Sequence, residues 1–318
     1  MSKKEDTIGG QAVIEGVMMR DGQKYSVAVR LPNNQIETMV SPIKEGHPLF
    51  KKPFLRGVKA LIENLKIGYA SLQWSAKKQE EEEKKEESKG FSSFLNFLIS
   101  LISIVVAVGL FIVLPNLTVH WLGLIEEQTP LLYNFIAGFV RLFIFFGYVL
   151  GISFLKDVKR VFQYHGAEHK VIHAFEAKKP LNYQEIKGFS PMHKRCGTSF
   201  LFLLIFVGIL IFALVPPILQ QIFPLFNIWS LVAKKSLIIA SHLLLLPFMA
   251  SISYELLKAS AKKHWVGKSL TFLAYPGLLF QKLTTKEPDE QQIEVALASL
   301  NVLLELRKKE QEENKSLS

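Results

Sequence analysis

The sequence predicts an α-helical polytopic membrane protein, with four transmembrane helices, a small α+β N-terminal cytosolic region and a C-terminal amphipathic helix. Three observations carry this expectation. The 318 residues are 49% hydrophobic and 21% charged, and the apolar residues gather in long blocks instead of spreading at the spacing of a soluble core. Four blocks, 94–114, 131–155, 198–219 and 236–257, have spanning length, because a helix rising about 1.5 Å per residue crosses roughly 30 Å of hydrocarbon in about 20 residues. Lys and Arg are unevenly placed: sixteen precede the first block and nine lie in 156–195, whereas 115–130 holds none and carries only Glu126 and Glu127. Basic loops stay inside, so the N-terminus, the 156–195 loop and the C-terminus are all expected to be cytosolic.

The start, Met1 to Asp6, has no apolar h-region, so the first span is expected to act as its own signal. Residues 1–76 form the N-terminal region. Ile8 to Gly16 reads as a short strand between glycine turns, and Tyr25 to Arg30 and Gln35 to Val40 alternate around Leu31-Pro32-Asn33-Asn34 as a hairpin. From Phe54 to Trp74, apolar Leu55, Val58, Leu61, Ile62, Leu65 and Tyr69 alternate with Lys52, Arg56, Lys59 and Lys66. That is an amphipathic helix able to lie on the sheet or on the inner membrane surface. Residues 77–92, with Glu80-Glu81-Glu82-Glu83, are a solvated helix or linker.

The membrane domain covers 93–283. Lys156 to Glu176 has no proline and a single glycine, Gly166, so the second span is expected to continue into the cytosol as one helix, ended by Pro180 and Gly188-Phe189-Ser190-Pro191. After the fourth span, Ser269 to Leu283 is apolar but short and interrupted by Pro276-Gly277, which favours a re-entrant or interfacial hairpin. In 284–318, Glu287-Pro288-Asp289-Glu290 opens a helix with Ile293, Ala296, Leu297, Leu300, Leu303 and Leu304 as its buried stripe.

The formal charge of +10 sits beside the spans, where anionic headgroups account for it. Membrane lipids are therefore expected partners and nucleic acid is not. The single cysteine, Cys196, excludes an intrachain disulfide.

Chemistry concentrates in Tyr164-His165-Gly166-Ala167-Glu168-His169-Lys170, which contains His-x-x-Glu-His. On a helix, His165 and His169 project from one face a turn apart and can reach one Zn²⁺, with Glu168 beside it as a base. His173 and Glu176 share that face but lie roughly 12 and 16 Å further along, so the third ligand must come from another element. Two places at the same depth offer one: His193 and Cys196 before the third span, and Glu255 at the end of the fourth. Glu255 is preferred, because an isolated carboxylate at the edge of hydrocarbon needs a cation and because two histidines with one carboxylate leave a position open. Arg195 or Tyr254 is then the oxyanion donor, and Cys196 a packing or supporting residue. On the competing account, these groups are solvated charges at a helix end. Arg141 and His242, inside spans, also have a plain reading as groups facing other helices.

Gly9-Gly10-Gln11-Ala12-Val13-Ile14-Glu15-Gly16-Val17-Met18-Met19-Arg20, Tyr164 to Lys170, His193 to Phe200, Ser253-Tyr254-Glu255, and Pro276-Gly277-Leu278 through Thr284 to Pro288 together resemble the YqhQ-like family of bacterial membrane proteins. The resemblance spans nearly the whole chain and implies a metal-dependent enzyme. It adds weight to Arg195, Cys196, Tyr254 and Glu255, and to Gly9-Gly10; His173 is not part of that pattern. The functional expectation is an integral membrane zinc metallopeptidase acting on membrane proteins from the cytosolic face. The alternative is a non-catalytic scaffold or regulator of membrane-protein or envelope assembly with a structural metal.

Overall fold

The computed structural model describes residues 8–44, 52, 54–83, 89–193, 196–260 and 265–316. The N-terminal strands are β1 (Gly9–Val13), β2 (Gly16–Arg20), β3 (Lys24–Arg30) and β4 (Ile36–Pro42), an antiparallel meander in the order β1-β2-β3-β4. Where one strand was expected from Ile8 to Gly16, the chain makes a tight hairpin: Val13 pairs with Gly16 around Ile14-Glu15, and Glu15 takes a φ of 50°. The expected hairpin across Pro32-Asn33 is present as β3 and β4.

Period-2 alternation gives this sheet two covered faces. Met18, Val27 and Val29 pack toward Ile67 and Trp74 of α1 (Leu55–Glu83). Val17, Met19 and Ala28 pack on the opposite side against Tyr164, Ala167 and Val171 of α5 (Lys156–Glu176) and Ile293, Ala296 and Leu300 of α10 (Glu290–Ser316). Helix α10 starts with a reciprocal cap, in which the Gln292 amide N–H donates to Asp289 Oδ1 at 2.8 Å and the Asp289 N–H donates to Gln292 Oε1 at 3.0 Å.

Among the described residues, four helices are long and apolar enough to cross a membrane: Phe97–Trp121, Pro130–Ile152, Gly197–Ile222 and Leu231–Ala259. The first of these joins α2 (Lys89–Val108), a π-helical turn at Gly109–Val113 and α3 (Leu114–Trp121). The others lie in α4 (Pro130–Ile152), α7 (Gly197–Ile222) and α8 (Leu231–Ser260), with α7 central and in contact with α4, α8 and α9 (Trp265–Thr284). Arg141 and His242 serve the backbone here. Pro115 has no N–H to give the carbonyl of Phe111, and Arg141 Nε donates to that oxygen at 3.2 Å; His242 bonds to the backbone of Phe212, four residues before Pro216.

Two elements depart from the sequence expectation. Helix α4 ends at Ile152 and α5 begins afresh at Lys156, because Leu155 is extended with a ψ of 134°. The proline-free run was read correctly, but the break falls just ahead of it, after Gly151, and it frees α5 to lie against β1 and α10. The expected hairpin at Pro276-Gly277 is a continuous helix, α9. Gly277 is needed for contact and not for a turn: a Cβ there would meet the Ser199 backbone at 2.7 Å.

Candidate metal centre

The histidine pair stands in the middle of α5, on the side that faces Pro191, Cys196 and the end of α9. Gly166 lets the chain after α9 come close. A Cβ at this position would lie 2.0 Å from the carbonyl oxygen of Lys286, so the bare backbone allows the α9–α10 connection to lie on α5, where the Lys286 N–H donates to Phe162 O at 2.9 Å. Lys170 is buried alongside and is spoken for by Glu287 and by the Lys187 carbonyl, as a charge out of water requires.

This docking fixes both imidazoles. His165 Nδ1 is 2.8 Å from Thr284 O, and His169 Nδ1 is 2.6 Å from Pro191 O. A ring nitrogen facing a carbonyl oxygen carries the proton, so both Nε2 atoms are left as bare acceptors aimed the same way. Cys196 Sγ lies 3.2 Å from His165 Nε2 and donates its S–H there. His169 Nε2 is buried and has no hydrogen-bond partner among the described residues. The ligand atoms of His165, His169 and Cys196 all lie within 4.8 Å of one another. Backbone carbonyls orienting the far nitrogens, a free lone pair on His169 Nε2 and a second on His165 Nε2 that is released when the thiol ionises fit a soft or borderline divalent cation such as Zn²⁺.

Glu168 completes the arrangement. Its Oε2 is 3.9 Å from Nε2 of His165 and 3.9 Å from Nε2 of His169, too far for a hydrogen bond and far enough to admit a small group between them. Burial pushes its carboxyl up to about 8; the charge of His165 and the Gly10 amide pull it down, while Cys196 pushes it further up. Burial likewise holds His169 down at about 2 and His193 at about 4, so both imidazoles are neutral and available as ligands. The Cys196 thiol is raised by burial against the lowering effect of Thr198, whose N–H and Oγ1 lie 3.4 and 3.2 Å from Sγ.

The residues expected from the sequence divide. His165, Glu168 and His169 come together. His193 is adjacent, with its ring 5.7 Å from that of His169, but its Nε2 turns to Glu176 at 3.4 Å. Glu255, expected as third ligand, is elsewhere: it forms a bidentate ion pair with Arg56, one arm of which is 2.6 Å, and Cys196 stands in its place in the cluster. The reasoning that a carboxylate at this depth needs a cation was sound, but Arg56 of α1 supplies it. Tyr254 packs beside Gly57 at the same α1–α8 junction. Arg195 lies outside the described residues.

Gln281 and Thr284 were missed by sequence reasoning, and Gly10 was singled out by the resemblance without a role. Gly10 abuts Glu168, where an added Cβ would lie 2.7 Å from Cγ. Gln281 clamps the His193 backbone, accepting from its N–H at 2.9 Å and donating to its carbonyl at 3.0 Å, and Thr284 orients His165. A usable signal existed for Cys196, a lone soft donor three residues after a histidine at the mouth of a span. The Gly9–Arg20 string now has assignable contacts too: Gly10 faces Glu168, and Glu15 binds Arg160 at 2.6 Å and Tyr164 at 3.2 Å on α5.

The family of proteins of unknown function DUF1385 matches residues 52–306. The uncharacterized protein YqhQ of Bacillus subtilis (strain 168) is 34% identical, over 94% of this chain and 92% of that protein. No solved structure matches. A family match over most of the chain and a relative of this similarity along nearly its full length lead to one conclusion: the chain belongs to the YqhQ-like DUF1385 family.

Proposed function

We propose that this chain is an integral membrane metal-dependent hydrolase, a zinc metallopeptidase whose site opens on the cytosolic membrane face and acts on membrane proteins. The observation that carries the reading is the buried Nε2 of His169, without a partner among the described residues, beside the Nε2 of His165 and the Cys196 thiol, with the Glu168 carboxylate 3.9 Å from both histidines. His165, His169 and Cys196 are the ligands, three protein groups that leave a fourth position open. When bound, Zn²⁺ supplies the Lewis acidity that polarises a peptide carbonyl and acidifies water.

Glu168 takes a proton from the attacking water and returns it to the leaving amine. The Gly10 amide holds the carboxylate in place. Because β1 is an edge of the sheet and Gly10 touches Glu168, an extended peptide running along β1 would pass the base. Basic residues before the first span and in 156–195 support a cytosolic position for this site.

A second reading, a scaffold whose cation ties α5 to the start of α7, is favoured by burial: Glu168, His169 and Cys196 are 4%, 1% and 8% exposed. Cleavage decides between them. Membranes holding wild-type protein should yield new N-termini in membrane proteins, sensitive to a zinc chelator and missing with Glu168→Gln. If the two proteins give identical N-terminal profiles while His165→Ala disturbs membrane-protein assembly, the scaffold reading stands and the peptidase reading fails.

A further inference from the structure

Helix α1 has two unlike long faces. One carries small side chains and is covered: Gly57 lies against Ser251 and Tyr254 of α8, Gly68 against Gln11, and Ser71 and Ser75 are buried. On the other, Leu55, Ile62, Leu65, Tyr69 and Leu72 are 42–64% exposed. At about 100° per residue these five, with half-buried Val58 and Leu61, fill one arc of about 120°. A continuous stripe of large apolar residues on a helix otherwise packed in place calls for a cover.

The fold fixes where the stripe sits. The Ser251 hydroxyl donates to Phe54 O at 2.5 Å and Arg56 pairs with Glu255. Both α8 residues lie within the apolar helix Leu231–Ala259, so the start of α1 is pinned at the depth of that helix. Charge follows the same geometry. Lys44, Lys59 and Lys66 line a pocket of about 480 Å³ that shares Ile62 with the stripe and includes Ile43 and Ile67; Glu63, also in its wall, pairs with Lys59 at 3.1 Å, and the lysines outnumber it.

We infer that α1 is an interfacial helix that binds anionic phospholipid of the surrounding bilayer. Its Leu55–Leu72 stripe lies among acyl chains, and the pocket with Lys44, Lys59 and Lys66 receives a headgroup phosphate. The inference rests on the reading that the four apolar helices cross a bilayer. It sets the sheet flat on the membrane, with α1 between the lipid and the strand that abuts Glu168.

The test uses the full chain in nanodiscs of phosphatidylglycerol or phosphatidylcholine, with photoreactive p-benzoylphenylalanine replacing Leu65, Leu72, Asn34 in the β3–β4 turn, or Leu244, which is 81% exposed on α8. Lipid adducts are expected at 65, 72 and 244 and not at 34. Adducts at 244 without adducts at 65 and 72, or cross-links from 65 and 72 to a second copy of the chain, overturn the inference and leave the membrane reading intact. A lack of lipid adducts at 244 overturns both. Each of Lys59→Gln and Lys66→Gln should lower the phosphatidylglycerol-to-phosphatidylcholine adduct ratio at Leu65 roughly fivefold, the share of one lysine near an anionic surface; an unchanged ratio overturns the headgroup assignment.

Discussion

His169 gives its Nδ1 proton to the carbonyl of Pro191 at 2.6 Å, and this single bond determines what the other side of the ring can do. It commits Nε2 to be a bare acceptor in a place where no described donor reaches it. A desolvated lone pair of this kind is unfavourable by about 1–3 kcal/mol unless something binds it. His165 repeats the arrangement with Thr284, with its Nε2 facing the Cys196 thiol, so two rings one helical turn apart present their Nε2 atoms to one point.

Metal content follows ligand identity. Purified wild-type protein should contain about one zinc per chain by mass spectrometry, since the three donors surround one point. His165→Ala, His169→Ala and Cys196→Ser should each lose it. Glu255→Gln should keep it, because Glu255 is held by Arg56. Loss of zinc in Glu255→Gln with retention in Cys196→Ser would restore the carboxylate as third ligand.

Gly166→Ala tests the docking on which the ring orientations depend. The new methyl would meet the Lys286 carbonyl at 2.0 Å, and backbone cannot swing aside as a side chain can. Stability should fall by about 1–3 kcal/mol and zinc affinity with it, read by thermal unfolding and by competition with a chromogenic chelator. Unaltered zinc affinity would mean that the Thr284 carbonyl does not orient His165.

The His165–His169 spacing and the location of the four long apolar helices were legible because both are local: a helical turn sets the first and block length the second. What was not legible depends on chain segments far apart. Thr284 is 119 residues from His165, so nothing near the motif shows which ring nitrogen is free. Glu255 and Arg56 are 199 residues apart, and the correct demand for a cation could not name its source until α1 was placed on α8. The break at 153–155 was hidden for another reason. Helix propensity is permissive there, and packing of α5 under the sheet decides the direction of the chain.

Orientation can be checked with new cysteines, since Cys196 is buried and a poor reporter of either side. Gln128, in the loop before α4, and Lys179, after α5, are both exposed. The charge asymmetry predicts 128 outside and 179 inside. An impermeant maleimide should label Gln128→Cys in intact cells and Lys179→Cys only after lysis. The reverse pattern would put the histidines on the outer face and remove the cytosolic site.

Glu168→Gln and Gly10→Ala separate catalysis from metal binding and from folding. Glu168 Oε2 stands 3.9 Å from both imidazole nitrogens, so the amide should leave the zinc in place while chelator-sensitive cleavage falls by roughly 10²–10⁴-fold, as expected for loss of a general base. Gly10→Ala forces its methyl to within 2.7 Å of Glu168 Cγ and of the Met18 carbonyl. It should likewise retain zinc, lose stability by about 1–3 kcal/mol, and reduce cleavage by displacing the base. The two variants should not add, because each acts on the same carboxylate. A double variant no less active than Glu168→Gln alone is therefore the expected outcome, measured as cleavage per zinc-loaded chain. A further large loss on adding Gly10→Ala would show that the glycine acts elsewhere, on the path of the peptide along β1.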